Sequence, residues 1–328
     1  MVIVSDLHTH TVYSDGLWTP DRLFREAKKL GIKQISITDH NNLEAVNESR
    51  ITATKLGLQY VTGIEIDVKT VFDGEWFHNH LLGYGFDENK LMPFVKEVND
   101  LNKEYFQELV DNLVGYLNHK DFVFNEPLIK MKKEINPGWI SPEAVISDEY
   151  RRKYSRELTK EQLSKILREK FLGPEIICRF IKNNLVENPS AITDAYPTTW
   201  KKIFLENFKE LFEVSGNYYK SHLEAINAIK MSGGFAVIAH PFLDELFWDQ
   251  NKKVEYLRFI DYLTVNGLSG LEAYYYSNDR YTKEQEDGFN KITKALCKDN
   301  SLIQTYGSDC HGRKRYLGKF GSENIILF

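Results

Sequence analysis

The sequence predicts an α/β fold whose parallel strands form an open sheet or close into a barrel. Short apolar runs rich in β-branched and aromatic residues recur along the chain, and segments with helical periodicity lie between several of them. This alternation is typical of parallel sheets, because consecutive parallel strands need a crossover connection. The predicted strands lie in VIVSDLHTH, QISITDH, LQYVTGIEID, FHNHLLGYGFD, FAVIAHP, GLEAYYYSND and LIQTYGSDCHG, and we expect all of them to run parallel.

The first predicted helix occupies TPDRLFREAKKLG, directly after the first strand. Thr19 is a candidate N-cap, Pro20 suits the first helical turn, and Gly31 suits the position after the last turn. Similar patterns predict a helix at about residues 43–57 and another in SHLEAINAIKMSGG. Each of these helices precedes an apolar run, as expected for strand, helix, strand units.

Residues 87–219 interrupt the alternation. Long amphipathic patterns such as LTKEQLSKILREKFL predict a mostly helical insertion in a domain formed by residues 1–86 and 220–328. The insertion carries 20 Lys and Arg against 22 Asp and Glu, so it is not a basic arm. We interpret it as a lid that shapes substrate access, in preference to a separate nucleic-acid module.

Composition excludes several classes of protein. A formal charge of -5 and an isoelectric point near 6.0 argue against an extended nucleic-acid-binding face, although one end of a strand can still bind. No apolar run approaches the roughly 18 residues of a membrane helix. Three cysteines without close pairing fit neither a disulfide framework nor a thiolate metal site. We therefore expect a cytoplasmic protein that binds no membrane; its oligomeric state is left open.

Ionisable residues gather at the ends of the predicted strands. Because the carboxyl ends of parallel strands open onto one face of a barrel, these groups are expected to converge. Imidazoles and carboxylates without thiolates suit Zn, Mn or Fe, and so many groups predict two or three divalent ions, an arrangement suited to phosphate ester hydrolysis. The groups are His8, His10, Asp15, His40, Glu65, His80, His240, Asp309 and His311.

Each piece of this pattern is weak alone. A His-x-His pair on a strand also arises from packing, TDH before a helix is an ordinary cap, and AHP can be a turn. The joint occurrence of all the pieces, in order along one chain, favours a polynuclear metal site over chance.

The motifs DLHTHTVYSDG, ITDHNN, GIEID, HLLGY, VIAHP and YGSDCHG resemble those of the polymerase and histidinol phosphatase (PHP) superfamily of metal-dependent phosphoesterases. The opening region is similar to the branch containing nucleoside 3′,5′-bisphosphate phosphatases, some of which are 5′-3′ exoribonucleases. The resemblance implies a distorted seven-stranded β/α barrel that binds up to three Mn, Zn or Fe ions.

Matching the motifs residue by residue implies a role for each ligand. His8 and His10 would bind one ion, Asp15 and His40 a more exposed ion, and Glu65 would bridge. The later ligands would be His80, His240, Asp309 and His311. His78 competes with His80, which we prefer because it directly precedes LLGY. We expect His119 and His222, which lie outside any motif, to be surface or helix residues.

The expected chemistry is attack on phosphorus by a hydroxide bridging two metal ions. Asp15, His240 and Asp309 are the candidate catalytic residues, and Asp309 or a released histidine would protonate the leaving oxygen. Asp39 is expected either to orient His40 or to cap a helix. Asn41 stands where the family branch commonly has an acidic residue, which affects tuning of the site rather than metal binding.

Phosphate groups beyond the reacting one need cations, and the sequence places arginines after two strand ends. Arg313 and Arg315 follow the last metal motif, and Arg280 follows the sixth predicted strand. A charge run is also typical of a solvated surface, so both interpretations stay open.

Three functions remain open. The favoured one is a phosphoesterase acting on nucleotides or on the 5′ end of short RNA. The alternatives are a phosphatase of another small metabolite, such as histidinol phosphate, and a non-catalytic metal- or nucleotide-binding regulator. The presence of every expected ligand argues against the regulator.

Overall fold

Seven strands form one sheet in chain order in the computed structural model, and helices follow most of them. The two edges of the sheet approach each other, since the backbone N–H of Leu7 donates to the carbonyl of Tyr306 at 3.1 Å and Thr9 bridges to Cys310. This nearly closed barrel confirms the predicted fold class. The structure describes residues 3–119, 214–241, 250–274, 282–312, 317–318 and 321–327.

The described elements follow one another along the chain as below. The strands are β1 (Ser5–Asp6), β2 (Gln34–Ile37), β3 (Gln59–Phe72), β4 (Glu75–Tyr84), β5 (Phe235–Ile238), β6 (Gly270–Tyr274) and β7 (Ile303–Tyr306). The helices are α1 (Pro20–Lys29), α2 (Ala45–Leu56), α3 (Glu88–His119), α4 (His222–Met231), α5 (Gln250–Val265) and α6 (Lys283–Asp299).

Local sequence signals determine the ends of the first helices. The Thr19 hydroxyl accepts a hydrogen bond from the Arg22 N–H, Pro20 begins α1, and Gly31 follows it with φ +83°. Gly57 ends α2 in the left-handed conformation. At α4, Ser221 and Glu224 form a reciprocal capping box. The three helices predicted in these segments are confirmed.

The direction of β4 differs from the prediction. Strands β1 to β3 are mutually parallel, as are β5 to β7, but β4 runs antiparallel to both neighbours. The cause is a two-residue turn, Asp73-Gly74, in which both residues have positive φ and Phe72 pairs with Glu75. Asp-Gly is typical of tight hairpin turns, which reverse the chain without a crossover helix. The prediction that all seven strands run parallel is wrong for β4.

A layer of apolar side chains lies below the carboxyl ends of the strands. Val61 shares its strand face with Glu65, and Leu82 and Tyr84 share theirs with His80, because strand side chains alternate. Barrel interiors are filled by such layers, so this one supports the polar layer above it. The buried cluster comprises Leu7, Val61, Leu82, Tyr84, Val237 and Ala239.

The chain divides into two compact units. One comprises Met1–Val98 and Tyr219–Phe328 and contains the whole barrel; the other is Asn99–Tyr218. The predicted insertion at 87–219 begins near the start of α3, and residues 120–213 lie outside the described part of the chain.

Two further sequence expectations concern membranes and thiols. Among the described residues, no helix has the length and apolar character needed to cross a bilayer. Cys297 and Cys310 are buried free thiols, and Cys178 lies outside the described residues.

Candidate metal centre

The nine side chains proposed as ligands from the sequence lie together at one end of the barrel. Three sets can be distinguished, and within each set the potential ligand atoms all lie within 4.8 Å of one another. The sets are His8, His10, Glu65 and Asp309; His40, Glu65 and His80; and His10, Asp15, His40 and His311. Glu65, His10 and His40 each belong to two sets, so the three sets form one continuous cluster.

Glu65 lies at the centre of this cluster and is buried. Its Oε2 lies 3.1 Å from Nε2 of His8, 3.1 Å from Nε2 of His10 and 3.5 Å from Nε2 of His40. Its Oε1 lies 2.8 Å from Nδ1 of His80 and 3.2 Å from Nε2 of His240. One carboxylate thus contacts five imidazoles, so Glu65 connects histidines from several separate strands and loops at one point.

Backbone pairing places these residues. Glu65 lies within β3, and the N–H of Asn41 donates to the Glu65 carbonyl at 2.8 Å, which brings His40 beside it. The N–H of His10 donates to the Cys310 carbonyl at 2.9 Å. That contact places the first motif beside the last, although about 300 residues separate them.

The protonation pattern of His8 tests whether a cation fits. Its Nδ1 lies 3.0 Å from a Glu272 oxygen, and a carboxylate only accepts, so Nδ1 carries the hydrogen. In the neutral ring Nε2 therefore has a lone pair, which faces the carboxylates of Glu65 at 3.1 Å and Asp309 at 3.4 Å. Three electron-rich atoms converge, and a cation between them resolves the conflict.

His10 leads to the same conclusion. Its Nε2 is buried, lies 3.0 Å from Asp309 Oδ1 and 3.1 Å from Glu65 Oε2, and has no hydrogen bond of acceptable geometry within the described residues. Ligands around a four-coordinate zinc ion, with bonds of about 2.0 Å, are about 3.3 Å apart. The separations and the nitrogen–oxygen donor set therefore fit a divalent metal ion such as Zn, Mn or Fe.

The third set lies closer to solvent. His311 Nε2 is 2.8 Å from Asp15 Oδ2, and its Nδ1 donates to the Asp309 backbone carbonyl at 2.8 Å. The Asp15 and His311 side chains are 28% and 33% exposed, whereas His8 and His10 are fully buried. His40 and His80 are also partly exposed, at 24% and 31%, so the open side of the cluster includes His80 as well as Asp15 and His311.

His80 reaches the cluster from β4, the antiparallel strand. It lies in the middle of that strand and not at a carboxyl end. Its Nδ1 contacts Glu65 and its Nε2 lies 3.1 Å from Asp67. His78, the competing candidate, is exposed, packs its ring 5.0 Å from that of Tyr219, and belongs to none of the three ligand sets. The geometry favours His80.

Neighbouring opposite charges strongly shift the pKa values of the side chains in the cluster. Burial acts to raise the pKa of Glu65, but the imidazoles of His40, His8 and His80 hold it well below its usual range. Burial acts to lower the pKa of His80, yet Glu65 and Asp67 raise it to about 9. The carboxylates are thus charged and need positive partners, which are protons on the imidazoles when no metal ion is bound.

Three residues at the site have a left-handed backbone. Asn41, His240 and Asp309 have φ of 48°, 26° and 50°. This conformation is costly for residues other than glycine and concentrates at functional sites. In His240 and Asp309 it belongs to proposed ligands themselves.

Two acidic residues were missed from the sequence. Glu272 on β6 is fully buried; it accepts from His8 Nδ1 and from the backbone N–H of His240 at 2.8 Å. Asp67 contacts His80 and accepts from Asn41 Nδ2 at 2.7 Å. In the sequence, Glu272 is marked by being a lone carboxylate inside the apolar run GLEAY. Asp67 is marked by its position two residues after Glu65 in GIEID.

Asp39 has a different role from the two expected. Its carboxylate accepts hydrogen bonds from the Thr11 N–H, the Thr11 hydroxyl and the Ser14 hydroxyl, at 2.6–2.7 Å. It therefore stabilises the turn that carries Asp15, and the expectation of a His40 partner or helix cap is wrong.

The remaining candidates are the two histidines outside any motif and the three arginines predicted to contact phosphate. His222 lies in α4 and is fully buried, so it is a helix residue but not a surface one; only the backbone of His119 is described, at the end of α3. The predicted phosphate contacts Arg280, Arg313 and Arg315 lie outside the described residues.

Comparison with known families gives one match over most of the chain. The model of the PHP domain matches residues 6–261. Over 110 residues the chain is 29% identical to a 5′-3′ exoribonuclease of Haemophilus influenzae, which covers 33% of this chain and 39% of that protein. It is 33% identical over 113 residues to the 5′-3′ exoribonuclease Rnm of Escherichia coli, covering 34% and 38%.

A third relative carries a different name. The chain is 30% identical over 86 residues to a phosphoribosyl 1,2-cyclic phosphate 1,2-diphosphodiesterase of Eggerthella lenta, covering 26% of this chain and 32% of that protein. The matches to these three curated relatives thus span less than two fifths of their lengths.

Two solved structures share the fold over nearly the whole chain. An amidohydrolase from Chromobacterium violaceum aligns with a TM-score of 0.60 at 20% identity, covering 97% of this chain and 91% of that one. A protein from Bifidobacterium adolescentis described as a metal-dependent phosphoesterase aligns with a TM-score of 0.57 at 21% identity, covering 99% and 93%.

Proposed function

The chain belongs to the PHP domain family, and from that premise we propose that it is a metal-dependent phosphoesterase acting on nucleotides. Its substrates would be nucleoside 3′,5′-bisphosphates or the 5′ end of short RNA. The observation that carries the proposal is the convergence of five imidazoles on the buried carboxylate of Glu65. The relatives named as 5′-3′ exoribonucleases support the nucleotide class.

We assign the metal ligands to the same nine residues that the sequence indicated. Divalent ions held by these side chains would lower the pKa of coordinated water towards neutrality and would offset the charge of phosphate oxygens. Glu65 joins the sets through both oxygens. The set of ligands is His8, His10, Asp15, His40, Glu65, His80, His240, Asp309 and His311.

The open side of the cluster orients the substrate. The more exposed members are Asp15, His40, His80, Asp309 and His311, with 28%, 24%, 31%, 24% and 33% of their side chains accessible, so an entering phosphate ester meets these residues first. The imidazole of His311 is held between the Asp15 carboxylate and the Asp309 carbonyl, which fixes the orientation of its ring at the open side. Glu272 fixes the hydrogen of His8 at Nδ1, so that Nε2 stays available as a ligand.

The test is product analysis in buffer containing Mn²⁺. Substrates are adenosine 3′,5′-bisphosphate, a 5′-phosphorylated RNA oligomer and, for contrast, histidinol phosphate. Release of phosphate from the bisphosphate, or of successive mononucleotides from the RNA, is expected. Turnover of histidinol phosphate alone would reject the nucleotide class.

A matched pair of variants connects any turnover to this site. Glu65→Gln removes the shared charge, whereas Asp21→Asn changes a half-exposed carboxylate on α1. Activity should disappear in the first and persist in the second. Turnover that survived Glu65→Gln would place the reaction elsewhere.

A further inference from the structure

The outer part of the β3–β4 hairpin carries a row of side chains that begins at the metal centre. Directly opposed residues of an antiparallel pair project to the same face, so successive alternate pairs form a ladder. At about 3.3 Å per residue, the second pair lies about 7 Å and the third about 13 Å beyond the first. The three pairs are Asp67 with His80, Lys69 with His78, and Val71 with Trp76.

The outer two pairs combine aromatic rings with a cation. Lys69 Nζ lies 4.4 Å from the centroid of the Trp76 ring and 5.7 Å from that of Tyr219. The Tyr219 ring lies 5.0 Å from the ring of His78, at 63°. The ammonium group thus lies near both rings.

The exposure of Trp76 is unusual for its size. The side chain is 55% exposed, although tryptophan normally contributes its large apolar area to the core. Its neighbour Phe77, on the opposite face of β4, is buried in the main core cluster. The core therefore does not use Trp76, while Lys69 lies near its ring.

We propose that this face, formed by Lys69, Val71, Trp76, His78 and Tyr219, binds the nucleotides on the 3′ side of the scissile phosphate in a single-stranded oligonucleotide. The proposal rests on the proposed function, because that function places the scissile phosphate at the metal cluster, of which the partly exposed His80 is a member. Bases would stack on Trp76 and Tyr219, and Lys69 would contact the backbone phosphate between them.

The charge of the chain explains why such a face is needed. A net charge of -5 repels a polyanion, so a local cation must offset that repulsion where the strand leaves the metal centre. A face with one lysine and two stacking rings holds one or two nucleotides. It therefore serves a short or terminal substrate rather than a long duplex.

Binding is tested by fluorescence anisotropy of a labelled 5′-phosphorylated RNA hexamer in EDTA, so that hydrolysis does not consume the probe. Trp76→Ala should weaken binding at least about fivefold, since base stacking on one aromatic ring is worth about that much or more. Trp76→Phe should restore most of the loss. Lys69→Gln should reduce the slope of log affinity against log salt by about 0.7, the value for one phosphate contact to a single strand.

Kinetics in Mn²⁺ separate this face from the catalytic centre. The loss of kcat/KM in Trp76→Ala should be at least about fivefold greater with the hexamer than with adenosine 3′,5′-bisphosphate, which lacks the further nucleotides. Met231→Ala and Lys33→Gln are matched controls, because both residues are exposed on the side away from the cluster: Lys33 directly precedes β2, and Met231 ends α4, shortly before β5. Neither control should change binding or turnover.

Three results would overturn the proposal. The first is hexamer binding in Trp76→Ala and Lys69→Gln equal to that of the unaltered chain. The second is an equal loss with hexamer and bisphosphate, which would indicate a general structural defect. The third is a change of oligomeric state in Trp76→Ala, which would make the face a protein interface. By contrast, an unaltered chain that binds the hexamer through Trp76 but hydrolyses neither substrate would reject the phosphoesterase and keep the oligonucleotide face.

Discussion

The Glu272 carboxylate lies 3.0 Å from Nδ1 of His8, on the opposite edge of the ring from the Nε2 atom that faces Glu65. Both residues are fully buried. The same carboxylate accepts the backbone N–H of His240 at 2.8 Å, so one side chain orients two proposed ligands from different parts of the chain. Glu272 is therefore a positioning residue for the metal centre, although it belongs to none of the three ligand sets.

Replacing Glu272 with Gln should weaken metal binding. A glutamine can still accept from His8, but it lacks the charge that raises the basicity of the ring, and losses of about 10–100-fold follow removal of such partners. The measurement is a competition titration of Zn²⁺ against a chelating dye, with circular dichroism to verify folding. Glu323→Gln, an exposed change, is the control. Equal affinity in the two variants would show that Glu272 has no part in metal binding.

His80 and His78 should differ in metal content. His80→Ala removes an imidazole that contacts both Glu65 and Asp67, so the amount of metal retained after dialysis should fall by about one ion per chain. His78→Ala should retain the full complement, because its ring packs against Tyr219 instead. Elemental analysis of the two proteins measures this. The reverse result would identify His78 as the ligand.

Removing metal should destabilise the barrel. Ions that bind only the folded state stabilise it by about 2.7 kcal/mol per site at a concentration 100 times Kd. For a unit of this size that corresponds to about 5–10 °C in Tm. Differential scanning fluorimetry with EDTA and with Mn²⁺ measures the shift, and Glu65→Gln should show little of it. An identical Tm in both buffers would contradict metal binding at the cluster.

Most of the proposed ligands could be predicted from the sequence because they follow or end an apolar run. Strand ends in an α/β barrel converge whatever the exact register, so His8, His40 and Asp309 could be grouped without coordinates. Glu272 could not be grouped with them in the same way. It lies inside a run instead of after one, and its role depends on the distance to His8, which sequence spacing does not give.

The direction of β4 could be predicted from the turn before the strand, but not from the apolar run itself. An apolar run looks the same whether its strand is parallel or antiparallel, and only the turn before it distinguishes the two. The pair Asp73-Gly74 contains that information, since a two-residue turn leaves no room for a crossover helix. His80 lies in the cluster for a different reason from the one expected: β4 runs antiparallel, and His80, in the middle of that strand, pairs with Asp67 of β3 beside Glu65.

Gly74 offers a test of this turn. An added Cβ meets nothing within 4 Å, but φ is +87°, so Gly74→Ala should destabilise the protein by about 1 kcal/mol through backbone strain alone. Gly288 in α6 also has open space around it but lacks positive φ, and Gly288→Ala should stabilise by about 0.5–1 kcal/mol. Urea unfolding measures both. Changes of the same sign would show that the conformation of Gly74 does not determine the hairpin.

His222 should make stability depend on pH. Its ring is buried, with Nδ1 2.8 Å from the Thr70 hydroxyl and Nε2 3.1 Å from Asn79 Oδ1. Burial, with a smaller contribution from the positive charge of His78, lowers the pKa of His222 to about 3. The unfolded chain therefore binds a proton at a higher pH, near 6.5, than the folded chain does. The stability contributed by the neutral ring is present above pH 6.5 and is lost as pH falls towards 3.

The expected loss between pH 7.5 and pH 5 is about 2 kcal/mol in the free energy of unfolding, from 1.4 kcal/mol per pH unit below 6.5. His222→Asn and His222→Gln remove the titrating ring and keep an amide that can bond to Thr70 or Asn79. Both variants should therefore lose about 2 kcal/mol less than the unaltered chain over the same pH interval, in matched urea titrations. Having two variants guards against one failing to fold. If both lost as much stability as the unaltered chain, the acid sensitivity would have to come from other groups, and His222 would be accessible to protons in the folded state.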